Sequence, residues 1–191
     1  MRSRMGFLAL FLATVVGVMC VIWVRPVAAG QAGAKPYAGT ITLKRTNNEP
    51  DNNVNESAQF AAVVLASTSD SADKSSWMNA DPPAVTVAVN NVNKENPSVS
   101  IPSRTVKPES LGIMLTISRS KKTYSLMIGP VQKIPATITT GGEKINDFWE
   151  IQGQTASDQA LPADASHLKG SISVTETSHA KVELTWDLQM K

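Results

Sequence analysis

Cysteine is almost absent: the 191 residues contain one, Cys20. That count excludes a disulfide framework and a cysteine-rich zinc module. Histidine is scarce too, with two residues, and charged residues make up only 18% against 42% hydrophobic. A chain that apolar is not disordered, and 11 Gly with 11 Pro leave no collagen-like repeat. Nor is there a surplus of one charge where it would matter. Removing Arg2, Arg4 and Arg25 with the first 29 residues leaves 15 basic against 16 acidic side chains. The remaining domain is close to neutral, with no broad field to steer nucleic acid or an anionic membrane.

What is present begins with an export segment. Arg2 and Arg4 precede an apolar run from Met5 to Val24, Arg25-Pro26 breaks it, and Val27-Ala28-Ala29 offers small residues before Gly30. This is the layout of a secretory signal peptide. The run is also long enough to span a bilayer, so residues 1–29 are expected to be a cleaved signal or an uncleaved hydrophobic N-terminal helix that anchors the chain. Either way residues 30–191 are expected outside the cytoplasm, periplasmic or secreted, touching a membrane only through that segment. Lipidation of Cys20 is disfavoured by bulky Met19 before it.

Beyond Gly30 the hydrophobic period is two. Ala180, Val182, Leu184, Trp186, Leu188 and Met190 alternate with polar residues, and Leu168, Ile172 and Val174 do so before a polar turn at Glu176–His179. Two strands joined in a hairpin follow. Leu111 to Ile117 and Tyr124 to Ile128 flank the basic turn Arg119-Ser120-Lys121-Lys122 as a second hairpin. Tyr37–Leu43, Phe60–Ala66, Val85–Val89, Ile134–Ile138 and Ile145–Ile151 read as further strands. Nine or ten short strands predict a single all-β domain over residues 30–191. An antiparallel β-sandwich, immunoglobulin-like, is the leading architecture and a β-barrel the alternative. The echoes Asn52-Asn53-Val54-Asn55 and Asn90-Asn91-Val92-Asn93 do not extend into their flanks, so no repeat is inferred.

Chemistry-bearing motifs are few. Asp51, Asn53 and Asn55 begin like a calcium loop, but Glu56 and Ala62 occupy its required glycine and glutamate positions. His167 and His179 lie at opposite ends of one expected strand, with no third ligand to complete a metal site. Ser-x-x-Lys recurs four times without its partner motifs, and no Gly-x-Ser-x-Gly occurs. No cofactor and no metal are expected, and no enzyme class is indicated. Trp77, in the polar stretch Ser67–Pro83, is the leading ligand-binding candidate, since an exposed loop indole can stack on a sugar or anchor a protein. Asp147 is a weaker one, sharing strand parity with Ile145 and Trp149 and so able to point inward as a desolvated acid. Arg119, Lys121 and Lys122 form a small basic hairpin tip. The expected function is an exported, non-enzymatic binding or envelope-assembly module whose partner is a glycan or an envelope protein. An inhibitor-like subunit without a small ligand is the alternative and a carbohydrate-active enzyme the third reading. Asn55-Glu56-Ser57 is a glycosylation acceptor only in a eukaryotic host.

Overall fold

The computed structural model describes residues 34–94 and 97–191. The expected signal or anchor at 1–29 therefore lies outside the described residues. All regular structure among the described residues is β. In chain order the strands are β1 (Tyr37–Glu49), β2 (Asn52–Asp70), β3 (Lys74–Met78), β4 (Val85–Asn93), β5 (Ser98–Val106) and β6 (Ile113–Ser118). They continue as β7 (Thr123–Ile128), β8 (Val131–Thr140), β9 (Glu143–Ile151), β10 (Gln154–Ala160), β11 (His167–Thr175) and β12 (Lys181–Met190).

Every pairing is antiparallel, and β2 organises them. At 19 residues it is long enough to serve two ladders. Its first part pairs β1 and β4, giving the run β11-β12-β1-β2-β4-β5-β8-β9. Its last residues pair β3 instead, starting the run β2-β3-β6-β7-β10. Among the described residues the sheet stays open: β9, β10 and β11 each pair on one side only, so the closed-barrel alternative does not hold.

The branch at β2 lets the second run fold across the first. Trp186 on β12 donates its indole N–H to the Tyr124 hydroxyl on β7 at 3.1 Å, with ring centroids 6.2 Å apart. Tyr37 on β1 meets Trp77 on β3 edge to face at 5.1 Å. Between these contacts lies one continuous core, including Phe60, Leu65, Ile113, Leu115, Leu126, Leu184 and Leu188. Gly170 is required here, because a Cβ at that position would run into the Trp186 ring on the neighbouring strand. Burial raises the Tyr124 phenol above its ordinary pKa and pushes Tyr37 up to about 12, with Asp164 adding to the second shift.

Both expected hairpins form. β6 and β7 pair from Ile113↔Ile128 to Ser118↔Thr123, and β11 and β12 from His167↔Gln189 to Thr175↔Lys181. His179 takes a positive φ of 61° in the second turn, while Gly141 and Gly142, at 57° and 87°, make the β8–β9 turn. Three strands were not expected. β3 comes from the polar stretch read as a loop, β10 from a polar stretch without hydrophobic alternation, and β5 carries Pro102. The proline is tolerated because β5 pairs β8 only over Ser98–Ser100 and then diverges from it.

Candidate functional site

The inward rows of β1, β2 and β4 are apolar through most of their length and turn polar at one common end. On β1, Ile41 and Leu43 are followed at the same parity by Arg45 and Asn47. On β2, Ala58 and Phe60 are preceded by Glu56, and on β4, Val85, Val87 and Val89 lead to Asn91. Because β2 runs antiparallel to both neighbours, these polar positions meet: Arg45 stands opposite Glu56. The β8–β9 hairpin folds back over them and brings Trp149.

Glu56 is the centre of the cluster, at 3% exposure. Its Oε1 accepts from Asn91 Nδ2 at 2.6 Å and from Trp149 Nε1 at 3.0 Å. Its Oε2 faces Arg45 Nη1 at 3.4 Å. Arg45 also reaches Glu176 in the β11–β12 turn, Nη2 to Oε1, at 2.8 Å, while its buried Nε has no hydrogen-bond partner. Asn47 Nδ2 donates to the Ser178 carbonyl at 3.2 Å and fixes the same turn. A cleft of about 280 Å³ opens here, lined by Arg45, Asn52, Asn93, Pro97, Trp149 and Glu176 among others.

A buried carboxylate survives only where its desolvation is offset by hydrogen bonds and an opposite charge. Glu56 has both, supplied by residues of β1, β4 and β9. Both of its oxygens are engaged, Oε1 by two hydrogen bonds and Oε2 by the guanidinium. The cleft accordingly offers a guanidinium, amides, a second carboxylate, a partly exposed indole and the Ser178 hydroxyl, which donates to Glu176 at 3.2 Å. That set suits hydrogen-bonded recognition.

None of the candidates singled out from sequence, Trp77, Asp147, Arg119, Lys121 and Lys122, lines this cleft, and Trp149 enters it as a strand residue that the sequence pattern placed only by parity. Trp77 requires correction. It lies within β3 at 2% exposure, its indole N–H donating to the Lys35 carbonyl at 3.1 Å. A residue so enclosed has no ring face to offer a sugar. Within the segment 67–83, residues 67–78 are strand, turn and strand, with Ser75 buried at core parity and its hydroxyl bonded to Asp70, while 79–83 lie outside any strand.

Asp147 keeps the expected parity, opposite Ala136, yet is exposed, because this half of β9 overhangs the core. Its carboxylate accepts the neighbouring Phe148 N–H at 2.8 Å, and it borders an open groove between β5 and β8. Of the two places its parity left open, an inward desolvated acid and an exposed position on the strand, Asp147 takes the second.

Arg119 ties two turns together. It donates to the Ser71 carbonyl at 2.6 Å and pairs with Asp70 at 3.2 Å. The hydrogen bonds from Ser75 and then Arg119 hold Asp70 below its ordinary pKa, and those from Ser120 do the same for Asp73. Lys121 and Lys122 are exposed at the tip.

His167 bonds Asp187 at 2.8 Å and His179 bonds Glu49 at 2.9 Å, at opposite ends of β11. Asn53 and Asn55 lie in extended β2, where no calcium loop can curl, and among the described residues no cluster of His, Cys, Asp or Glu could hold a metal. Comparison with protein-family models, with curated proteins and with solved structures finds no match for this chain.

Proposed function

We propose that this chain is an exported, non-enzymatic binding module that recognises a glycan in the cleft around Glu56. The scaffold is read as a β-sandwich, immunoglobulin-like in having two antiparallel layers over one apolar core. One observation carries the reading: Trp149, partly exposed, is held by its indole N–H on buried Glu56 beside Arg45 and Asn91. An indole held rigidly next to fixed donors and acceptors is what a sugar ring with its hydroxyls requires. Extracytoplasmic placement rests on the N-terminal segment, and the partner would be an envelope or extracellular polysaccharide.

The test is a titration of the full chain with peptidoglycan fragments and soluble polysaccharides, followed by tryptophan fluorescence. Saturable binding that disappears in Trp149→Phe and persists in Arg119→Ala is expected. No glycan response, together with a protein retained from an envelope extract, would replace this reading by the assembly-subunit one. That alternative is favoured by β9, a free edge strand with Phe148 62% and Ile145 47% exposed. The enzyme reading has no such support, since Asp147 stands exposed and bonded to its own neighbour.

A further inference from the structure

The outer face of β3, β6 and β7 carries a feature unrelated to the cleft. The registers place Met78 opposite Met114, and Met114 opposite Met127. Three methionines therefore stand side by side on three consecutive strands in one row across the sheet. The four methionines of the described residues are these three and Met190. All three point away from the core: Met78 is 40% and Met127 38% exposed, with Met114 half-buried between them.

The row is bounded by Ala66 on β2 and Thr155 on β10. One step along the strands runs a parallel row of hydroxyls, Ser76, Thr116 and Ser125. Among the described residues the thioethers thus have small neutral side chains as register neighbours, with no carboxylate, imidazole or thiolate in the adjoining strand positions. An isolated apolar strip this narrow is too small for a protein-docking surface, which needs hundreds of Å².

We propose that Met78, Met114 and Met127 form a binding site for a soft monovalent cation, Cu(I) or its analogue Ag(I). Thioether sulfur is a neutral, polarisable donor that selects Cu(I) and leaves hard divalent ions to oxygen ligands. A monovalent ion needs no anionic ligand, which fits a face without carboxylates. Neighbouring strands lie about 4.8 Å apart, so the outer two backbones are separated by about 10 Å. Methionine is unbranched and turns about three side-chain torsions, so both outer sulfurs can fold toward the central one. A three-sulfur set results, with Met114 the indispensable member.

The experiment uses the full chain carrying Cys20→Ser, so that the lone thiol does not compete. Cu(I) is supplied as its acetonitrile complex without oxygen and titrated against a chromophoric Cu(I) chelator, with native mass spectrometry for stoichiometry. One Cu(I) per chain is expected, with an X-ray absorption spectrum showing sulfur as the metal's neighbours. Met114→Leu conserves volume and should leave the fold intact, while weakening binding about tenfold or more. Met78→Leu, at the open end of the row, gives a further variant with the same expected direction, and Met190→Leu should change nothing. Absence of Cu(I) and Ag(I) binding, a spectrum dominated by nitrogen or oxygen, or equal affinity in Met114→Leu and Met190→Leu would overturn the proposal.

Discussion

Ile41 stands opposite Phe60 across the β1–β2 pair, and four residues along, at the same parity, Arg45 stands opposite Glu56. The apolar pair is sealed beneath the opposing layer, near the Trp186–Tyr124 and Tyr37–Trp77 contacts. The charged pair borders a cleft. Backbone, twist and pairing are shared, so only side-chain chemistry separates a closed end from an open one. The closed end gains by removing apolar area from water. The open end keeps ions out of bulk water and offsets that with a hydrogen-bond set that leaves the Arg45 Nε unpaired, an arrangement that adds little stability over an apolar substitute. Its presence is a reason to seek a ligand there.

That contrast can be broken most severely at the closed end. Trp186→Ala removes an indole, leaves a cavity above Gly170 and orphans the Tyr124 hydroxyl, so a loss of about 3–5 kcal/mol is expected from urea unfolding. At the open end Glu56→Ala strands the Arg45 guanidinium, the Asn91 amide and the Trp149 N–H, at a cost of about 3 kcal/mol. The sharper experiment is the double variant Arg45→Met with Glu56→Leu. Its stability should recover only part of the Glu56→Ala loss, because the guanidinium is no longer stranded while the Asn91 amide and the Trp149 N–H still lack their acceptor, and the proposed glycan binding should be lost. A double variant as unstable as Glu56→Ala would mean that the ions hold the fold and not a ligand.

Trp149→Phe should cost about 1 kcal/mol for one lost hydrogen bond. In a chain cleaved before Gly30 it should also remove most acrylamide-quenchable fluorescence, because Trp77 and Trp186 are buried.

Acid should have the mildest effect. Asp187 is held below its ordinary pKa by His167 and then Lys169, and Asp70 and Asp73 by the partners described above. As pH falls the unfolded chain takes up these protons first. The stability they supply is therefore complete above about pH 4 and drains away as pH passes through their lower native values. Urea midpoints measured across that range should fall less steeply in Asp187→Asn than in the parent.

Much of the fold was legible because alternation survives wherever one face is buried and the other wet. The β6–β7 and β11–β12 hairpins follow from it, and the first fixes Met114 opposite Met127 once its turn is located. What escaped has a common cause. Glu56, Arg45 and Asn91 continue the inward parity of Phe60, Ile41 and Val89, but a polar residue at an inward position ends the alternation, so each strand was closed short of its site residue. The same rule hid Trp77. Ser75, two residues before it, occupies a buried inward position, and the stretch read as a polar loop. Asp147 failed in the opposite sense: its parity was right, but parity does not say where the opposing layer stops.

The pairing of β1 with β12 sets Tyr37 against Met190, the first and last of the described strands. A ribosome must make β12 before β1 gains that partner, so the ladder is completed only after every strand between them has been synthesised. Folding dominated by such distant partners is slow. In the export reading proposed above, that delay would keep the chain unfolded and transportable until it has crossed.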